Sequence, residues 1–322
     1  MAKIKQSTGL LLRFLISGGI LGYLFYKMDW VQLGAIARTL HLGWTFGAFF
    51  IFGVILALAT WRWQMLLAVQ NIRLSFAEAG RLFFIGHFFN AFMLGVTGGD
   101  LAKIYYIANA ARQQREAAAL SVIVDRIIGL VALLMLAVAL SIFYYPFLTQ
   151  LPETRAAVWT VYLIALGTVA FGLVVAVFPH IHRAVHARGW WEKVPLHTLV
   201  EKLSAATVQY AGAVRTNLLA GGISLVMHLL NLGSSWALLH ALGLDVPLGP
   251  FASFLPIIAL LIALPISFSG LGVREMLAVL FFGLLSVSKE HAVAFALLQF
   301  SLSLVWSLVG GLVYLRYKQP SS

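Results

Sequence analysis

Long apolar runs recur along this chain, and they leave it few ways to fold. The stretches 42–60, 118–142, 158–178, 218–242 and 292–314 are each apolar, and each is close to or above the ~20 residues that carry a helix across about 30 Å of hydrocarbon. A sixth run, 14–26, follows Lys3, Lys5 and Arg13. It resembles the start of a signal peptide, but no small-residue cleavage site follows, so it reads as an uncleaved first span. Lipid offers no partner for backbone polar groups, so such runs must satisfy their own as helices. Only 10% of the 322 residues are charged and 61% are hydrophobic, where a soluble domain carries roughly 25% charge. The chain is therefore expected to be an all-α polytopic membrane protein, with residues 1–322 forming one transmembrane domain.

The formal charge of +11 does not indicate a nucleic-acid partner, because the basic residues lie in short loops between apolar runs. With the N-terminus in the cytoplasm, Arg62, Arg73, Arg81, Arg112, Arg115, Arg183, Arg188, Lys193, Lys202, Arg215, Arg316 and Lys318 all fall inside. The outer loops then balance Lys27, Arg38, Arg155 and Lys289 against Asp29, Glu153, Asp245 and Glu290. This asymmetry predicts that both termini are cytoplasmic. The chain has no cysteine, which excludes disulfides, thiol nucleophiles and thiolate metal sites.

Two apolar regions, 82–111 and 247–285, are interrupted in the middle. The first contains Gly98-Gly99-Asp100-Leu101-Ala102-Lys103, and the second Gly270-Leu271-Gly272-Val273-Arg274-Glu275. The part of the first region before the break, 82–96, is too short to span. That region reads as a helix-break-helix hairpin entering and leaving on one side, whereas 247–265 is long enough that two crossings remain open. A shift of 174 positions brings Gly98 onto Gly272, Asp100 onto Arg274, Arg115 onto Lys289 and Glu116 onto Glu290. The repeat units are 42–142 and 218–314, each a span, a broken hairpin and a span. Six full spans plus two re-entrant hairpins then form an inverted-topology repeat, an arrangement that places substrate sites near the bilayer midplane.

Charges inside such segments cost roughly 2.5–3.5 kcal/mol each on insertion scales and so need partners or a function. Asp100 and Lys103 lie three apart on one helical face and are able to pair; the structural alternative is a helix cap and a snorkelling lysine. Asp125 and Arg126 sit about two turns into the span 118–142. Arg126 could grip a phosphate bidentately, and Asp125 could answer Arg274 or Lys103, or the group could be a closed structural network. Arg274 and Glu275 point in different directions, toward either a ligand or an interhelical salt bridge. The breaks at Gly98, Gly99, Gly270 and Gly272 would aim helix N-termini, with their free N–H groups, at an anion.

The histidines 180, 182, 186 and 197 match no standard ligand spacing, so no metal is expected. They belong to a basic cytoplasmic loop, 179–215, whose part 196–210 is expected to form an interfacial amphipathic helix. Trp61-Arg62-Trp63 and Trp190-Trp191 read as interfacial anchors. There is no P-loop, catalytic triad or paired catalytic carboxylate, so no cofactor and no enzymatic activity are expected.

The three motifs taken in order, Gly98 to Lys103, Asp125-Arg126-Ile127-Ile128-Gly129-Leu130 and Gly270 to Glu275, resemble the lysylphosphatidylglycerol synthase transmembrane-region family of flippase-like membrane proteins, over nearly the whole chain. The resemblance implies a lipid transporter of the bacterial cytoplasmic (inner) membrane. Its substrate would be a phospholipid or an isoprenoid-linked or glycolipid head group, and a lipid-synthesising enzyme is a possible partner. Some relatives carry a soluble aminoacylating domain after this region; here the chain ends at Ser322, so the expectation is the flippase-like half alone. Two other classes stay open: a non-transporting scaffold that binds lipid or a glycosyltransferase, and a membrane-embedded lipid-phosphate enzyme. The enzyme ranks last, since carboxylates intermixed with guanidinium groups are poor general acids.

Overall fold

The computed structural model describes residues 26, 30–92, 98–186, 208–264 and 270–317, and all regular structure among them is helical. The expected first span (14–26, apart from its last residue), residues 93–97 and 265–269, and Trp190-Trp191 lie outside the described residues. The helices are α1 (Trp30–Arg38), α2 (Leu42–Val69), α3 (Phe76–Phe92), α4 (Gly98–Ala110), α5 (Arg115–Phe143), α6 (Tyr145–Leu148), α7 (Pro152–His186), α8 (Val214–Ala241), α9 (Leu248–Ala263), α10 (Val273–Gly283) and α11 (Lys289–Arg316). A 3-10 turn, Arg112–Gln114, joins α4 to α5.

Helices α2, α5, α8 and α11 are long and apolar enough to cross a membrane. They coincide with four of the expected spans, and the fifth, 158–178, lies inside the 35-residue α7. At ~1.5 Å per residue, a helix of 28 residues such as α2 is about 42 Å long, more than the hydrocarbon requires. The broken regions are built from shorter pieces of 17 and 13 residues (α3 and α4) and of 16 and 11 residues (α9 and α10). None of the four reaches the ~20 residues of a full crossing.

Of the boundaries that differ from the sequence expectation, three have a local reason. Helix α2 does not stop at Thr60. The sequence beyond it stays apolar apart from Arg62 and Gln64, so Trp61-Arg62-Trp63 lies two turns before the helix end. Trp63 is fully buried and Arg62 is 7% exposed; neither anchors the interface, and only Trp61 faces outward. Helix α3 begins at Phe76 rather than residue 82, because Ser75 and Glu78 close a capping box. Ser75 Oγ accepts from the Glu78 amide at 3.2 Å, and the Glu78 carboxylate accepts from the Ser75 amide at 2.8 Å. Helix α10 starts at Val273, after Gly270 and Gly272 turn the chain at φ +78° and +83°. Residues with a side chain rarely adopt that region.

Adding 174 to the bounds of α2, α3, α4 and α5 gives 216–243, 250–266, 272–284 and 289–317. Helices α8, α9, α10 and α11 occupy these intervals to within three residues. Contacts follow the same register: α2 packs along α8, α3 packs on α11, and α9 packs on α5. The two halves are therefore interleaved, with the first helix of each broken region held by the other half's last helix. Their interiors differ. Around α9, α10 and α11 the fully or almost fully buried rings of Phe251, Phe254, Phe281, Phe282 and Phe295 pack together, where offset and edge contacts add to simple burial. Around α2, α4 and α5 the core is smaller, built on Trp63, Leu67, Leu82 and Ile107, and leaves room for polar groups. Most of the basic loop, 187–207, lies outside the described residues, as do the side chains of His180, His182 and His186. Tyr210, expected at the end of an interfacial helix, is instead buried, and its hydroxyl donates to the Leu66 carbonyl at 3.0 Å.

Candidate functional site

The charges of the first half converge inside the helices. Asp125 lies ten residues into α5, ~15 Å from its start, and is 5% exposed. One carboxylate oxygen accepts from Arg62 Nε of α2 at 2.8 Å, and the other lies 3.7 Å from Lys103 Nζ of α4. A second Arg62 nitrogen donates to Ser224 Oγ of α8 at 2.7 Å, and the Ser224 hydroxyl donates onward to the Ala220 carbonyl. Arg62 thereby ties the last turns of α2 to both α5 and α8.

Lys103 is buried, 4% exposed, so it does not snorkel. Its ammonium sits 4.3 Å from the centre of the Trp63 ring and 4.7 Å from that of Phe83, a cation-π seat that compensates part of its desolvation. The Trp63 indole N–H donates to Ser121 Oγ at 3.2 Å, which fixes the ring. Asp100 does not pair with Lys103 although the spacing allows it; it pairs with Arg126 of α5. This second pair is more open, with side chains 21% and 27% exposed.

Close backbone approach makes these positions possible. A Cβ on Gly99 would lie 1.9 Å from the Gly86 carbonyl oxygen, and one on Gly86 would lie 2.4 Å from Lys103 Cγ. Only glycine at both sites lets α4 press on α3 far enough to deliver Lys103 to Asp125. Two of the N–H groups expected to be free at the half-helix ends have protein partners instead. The Gly99 amide donates to Asn90 Oδ1 at 2.8 Å, and the Gly272 amide to Glu275 Oε2 at 2.7 Å.

A cavity of about 300 Å³ opens among these residues. Arg62, Lys103 and Arg126 face Asp100 and Asp125 across it, and His87, Asn90 and His228 complete its polar wall. Counted at their formal charges, three cations against two carboxylates leave one excess positive charge. His228 Nε2 lies 3.0 Å from the Gly129 carbonyl; a carbonyl only accepts, so Nε2 carries the proton. His87 Nε2 is buried and has no hydrogen-bond partner among the described residues.

Of the six side chains singled out from the sequence, the structure brings Asp100, Lys103, Asp125 and Arg126 together. Arg274 and Glu275 do not line the cavity. Arg274 lies over the Phe300 ring at 5.2 Å, and Glu275, fully buried, caps α10. Asp125 answers Lys103 rather than Arg274. Sequence reasoning missed Arg62, His87, Asn90 and His228. A signal for Arg62 existed in the apolar character that continues to Val69; the others are single polar residues in apolar helices, with no spacing to mark them.

The family model described as the lysylphosphatidylglycerol synthase TM region matches residues 10–311. No curated protein and no solved structure matches the chain. The chain belongs to that family of multi-pass integral membrane domains.

Proposed function

We propose that this member of the lysylphosphatidylglycerol synthase transmembrane-region family is a flippase-type transporter that moves a phospholipid or lipid-linked head group across the cytoplasmic membrane, with both termini on the cytoplasmic side. The observation that carries the reading is the cavity around Asp125, ~15 Å along α5 from its start, with one more cation than carboxylates. A buried excess charge is costly without a ligand of opposite sign, and a lipid phosphate supplies one. Arg126 is the phosphate contact, since its pair with Asp100 is the more open of the two and its guanidinium suits bidentate phosphate recognition. Asp100 takes the guanidinium back once the head group leaves. Lys103 and Arg62 set the field from behind, and Asp125 keeps them in place.

Units 42–142 and 218–314 act as an inverted repeat, with α3–α4 and α9–α10 as hairpins entering from opposite faces. The 174-residue agreement of helix bounds and packing supports this reading, and rocking of the interleaved halves would expose the cavity to each side in turn. Arg274 and Glu275 hold the second hairpin. The protein is not an enzyme in this reading.

The test is translocation of labelled anionic phospholipid in proteoliposomes. Arg126→Ala should abolish it, while Arg274→Ala leaves the cavity intact and retains a measurable rate, with both variants monodisperse in detergent. Undiminished translocation in Arg126→Ala would remove the assignment. Absence of translocation by the unaltered chain, with lipid still retained on purification, would favour a lipid-binding scaffold.

A further inference from the structure

A second cavity, about 390 Å³ and almost wholly apolar, lies between α5, α7 and α9. It shares Leu130 and Ala263 with the polar cavity, so the two are neighbours across one pair of side chains. Its outer side is formed by Ile127 of α5 and Gly167 of α7, both exposed at the helix surface. We infer that this groove holds one acyl chain of the same glycerophospholipid whose phosphate occupies the polar cavity. The inference rests on the reading above that the cavity takes a lipid phosphate.

Size and continuity decide the occupant. At ~30 Å³ for a water-sized group, the groove accommodates roughly a dozen such groups, the scale of one acyl chain and well short of a long polyprenyl chain. Its wall offers no charge, so it suits hydrocarbon only. Lipid is as apolar as the groove, so a chain that enters gains packing contacts but little hydrophobic free energy. Occupancy by a particular lipid must then come from its head group, which tethers the chain from the polar cavity on the other side of Leu130 and Ala263. Head and chain sites are in this way coupled: loss of the phosphate contact releases the chain.

Two features make the test clean. The chain has no cysteine, so Thr168→Cys on the groove wall gives a single labelling position. A Cβ on Gly167 meets nothing within 4 Å, so Gly167→Phe can fill the groove without a backbone clash. A bimane on Thr168→Cys is quenched by brominated acyl chains, supplied as a minor fraction of phosphatidylglycerol or of phosphatidylcholine in otherwise identical vesicles. Brominated phosphatidylglycerol should quench several-fold more strongly, and Arg126→Ala should remove the difference. Equal quenching by the two lipids in the parent protein overturns the inference, as does a preference that survives Arg126→Ala.

In proteoliposomes, Gly167→Phe should slow long-chain phosphatidylglycerol at least tenfold while leaving retention of dihexanoyl phosphatidylglycerol unchanged. A wild-type rate for the long-chain lipid, or equal loss of both, overturns it. Selective movement of a polyprenyl phosphate over phosphatidylglycerol by the parent chain would show that the occupant is not an acyl chain. Failure of the transporter reading is separate: the parent chain then moves neither lipid, while the quenching preference still reports the groove.

Discussion

Asp125 serves two cations and Arg62 has two acceptors, and this imbalance sets an order of severity for their removal. At an effective dielectric of about 20, a pair at the 2.8 Å of Arg62 and Asp125 attracts by about 6 kcal/mol before desolvation, and one at the 3.7 Å of Lys103 by about 4.5. Asp125→Asn forfeits both and strands two buried cations, so it should cost about 3–5 kcal/mol of stability. Arg62→Met leaves Asp125 with Lys103 and leaves Ser224 able to keep its own bond to Ala220. It loses the bonds to Asp125 and Ser224 but strands no cation, so it should cost less, about 2–3 kcal/mol. The double variant Arg62→Met/Asp125→Asn removes one cation and one carboxylate together, so its cost should fall short of the sum by roughly 1–3 kcal/mol. The assay is unfolding in detergent followed by tryptophan fluorescence, with Trp63 beside the network as a reporter. Translocation adds the functional half: the double variant keeps the excess positive charge of the cavity and should retain part of the activity that Arg126→Ala loses. Strictly additive stabilities, or an Arg62→Met variant less stable than Asp125→Asn, would refute the account of Asp125 as the shared centre.

Two further outcomes follow from backbone geometry. Gly99→Ala places a Cβ against a backbone oxygen that cannot move aside, so folded yield by size-exclusion chromatography should collapse; Gly221→Ala in α8, where nothing lies within 4 Å, should be neutral or gain roughly 0.5–1 kcal/mol. Glu275→Ala removes the acceptor for the Gly272 amide and should cost about 0.5–2 kcal/mol, whereas Glu275→Gln keeps an acceptor and should be nearly silent both in the same melt and in translocation, as a capping role requires.

The helical architecture was legible because long apolar runs have one solution in lipid, and the helix bounds around α5 and α11 fell close to where composition changes. The start of α3 was legible too, in Ser75 and Glu78, but an apolar count skips a capping box made of polar residues. Arg62 shows the other kind of miss. An arginine flanked by tryptophans is the pattern of an interface anchor, and only the partner 63 positions later, Asp125, turns it inward. Pairing across helices is not written in local spacing, which is also why Asp100 chose Arg126 over the nearer Lys103.

The register between the halves extends to individual contacts, and there it explains why the site is one-sided. Asp100 and Arg126 form an ion pair in the first half; the residues 174 further on, Arg274 and Phe300, form a cation-π contact at the corresponding place. The counterpart of Asp125 is Gln299, which donates to Ser235 at 3.0 Å, beside Trp236, the counterpart of Arg62. The counterpart of Lys103 is Leu277, which is buried in the phenylalanine-rich core. The same scaffold positions thus carry a charge network once and a neutral or aromatic version once. Repeating the network would place four more ionisable groups, at positions 236, 277, 299 and 300, in the membrane at roughly 2.5–3.5 kcal/mol each. The second copy, where Arg274 is the one charge at these positions, avoids that penalty and packs α9 and α10 into the phenylalanine-rich core. What varies between the halves is therefore the side chains that make a site, on a helix arrangement that both halves keep.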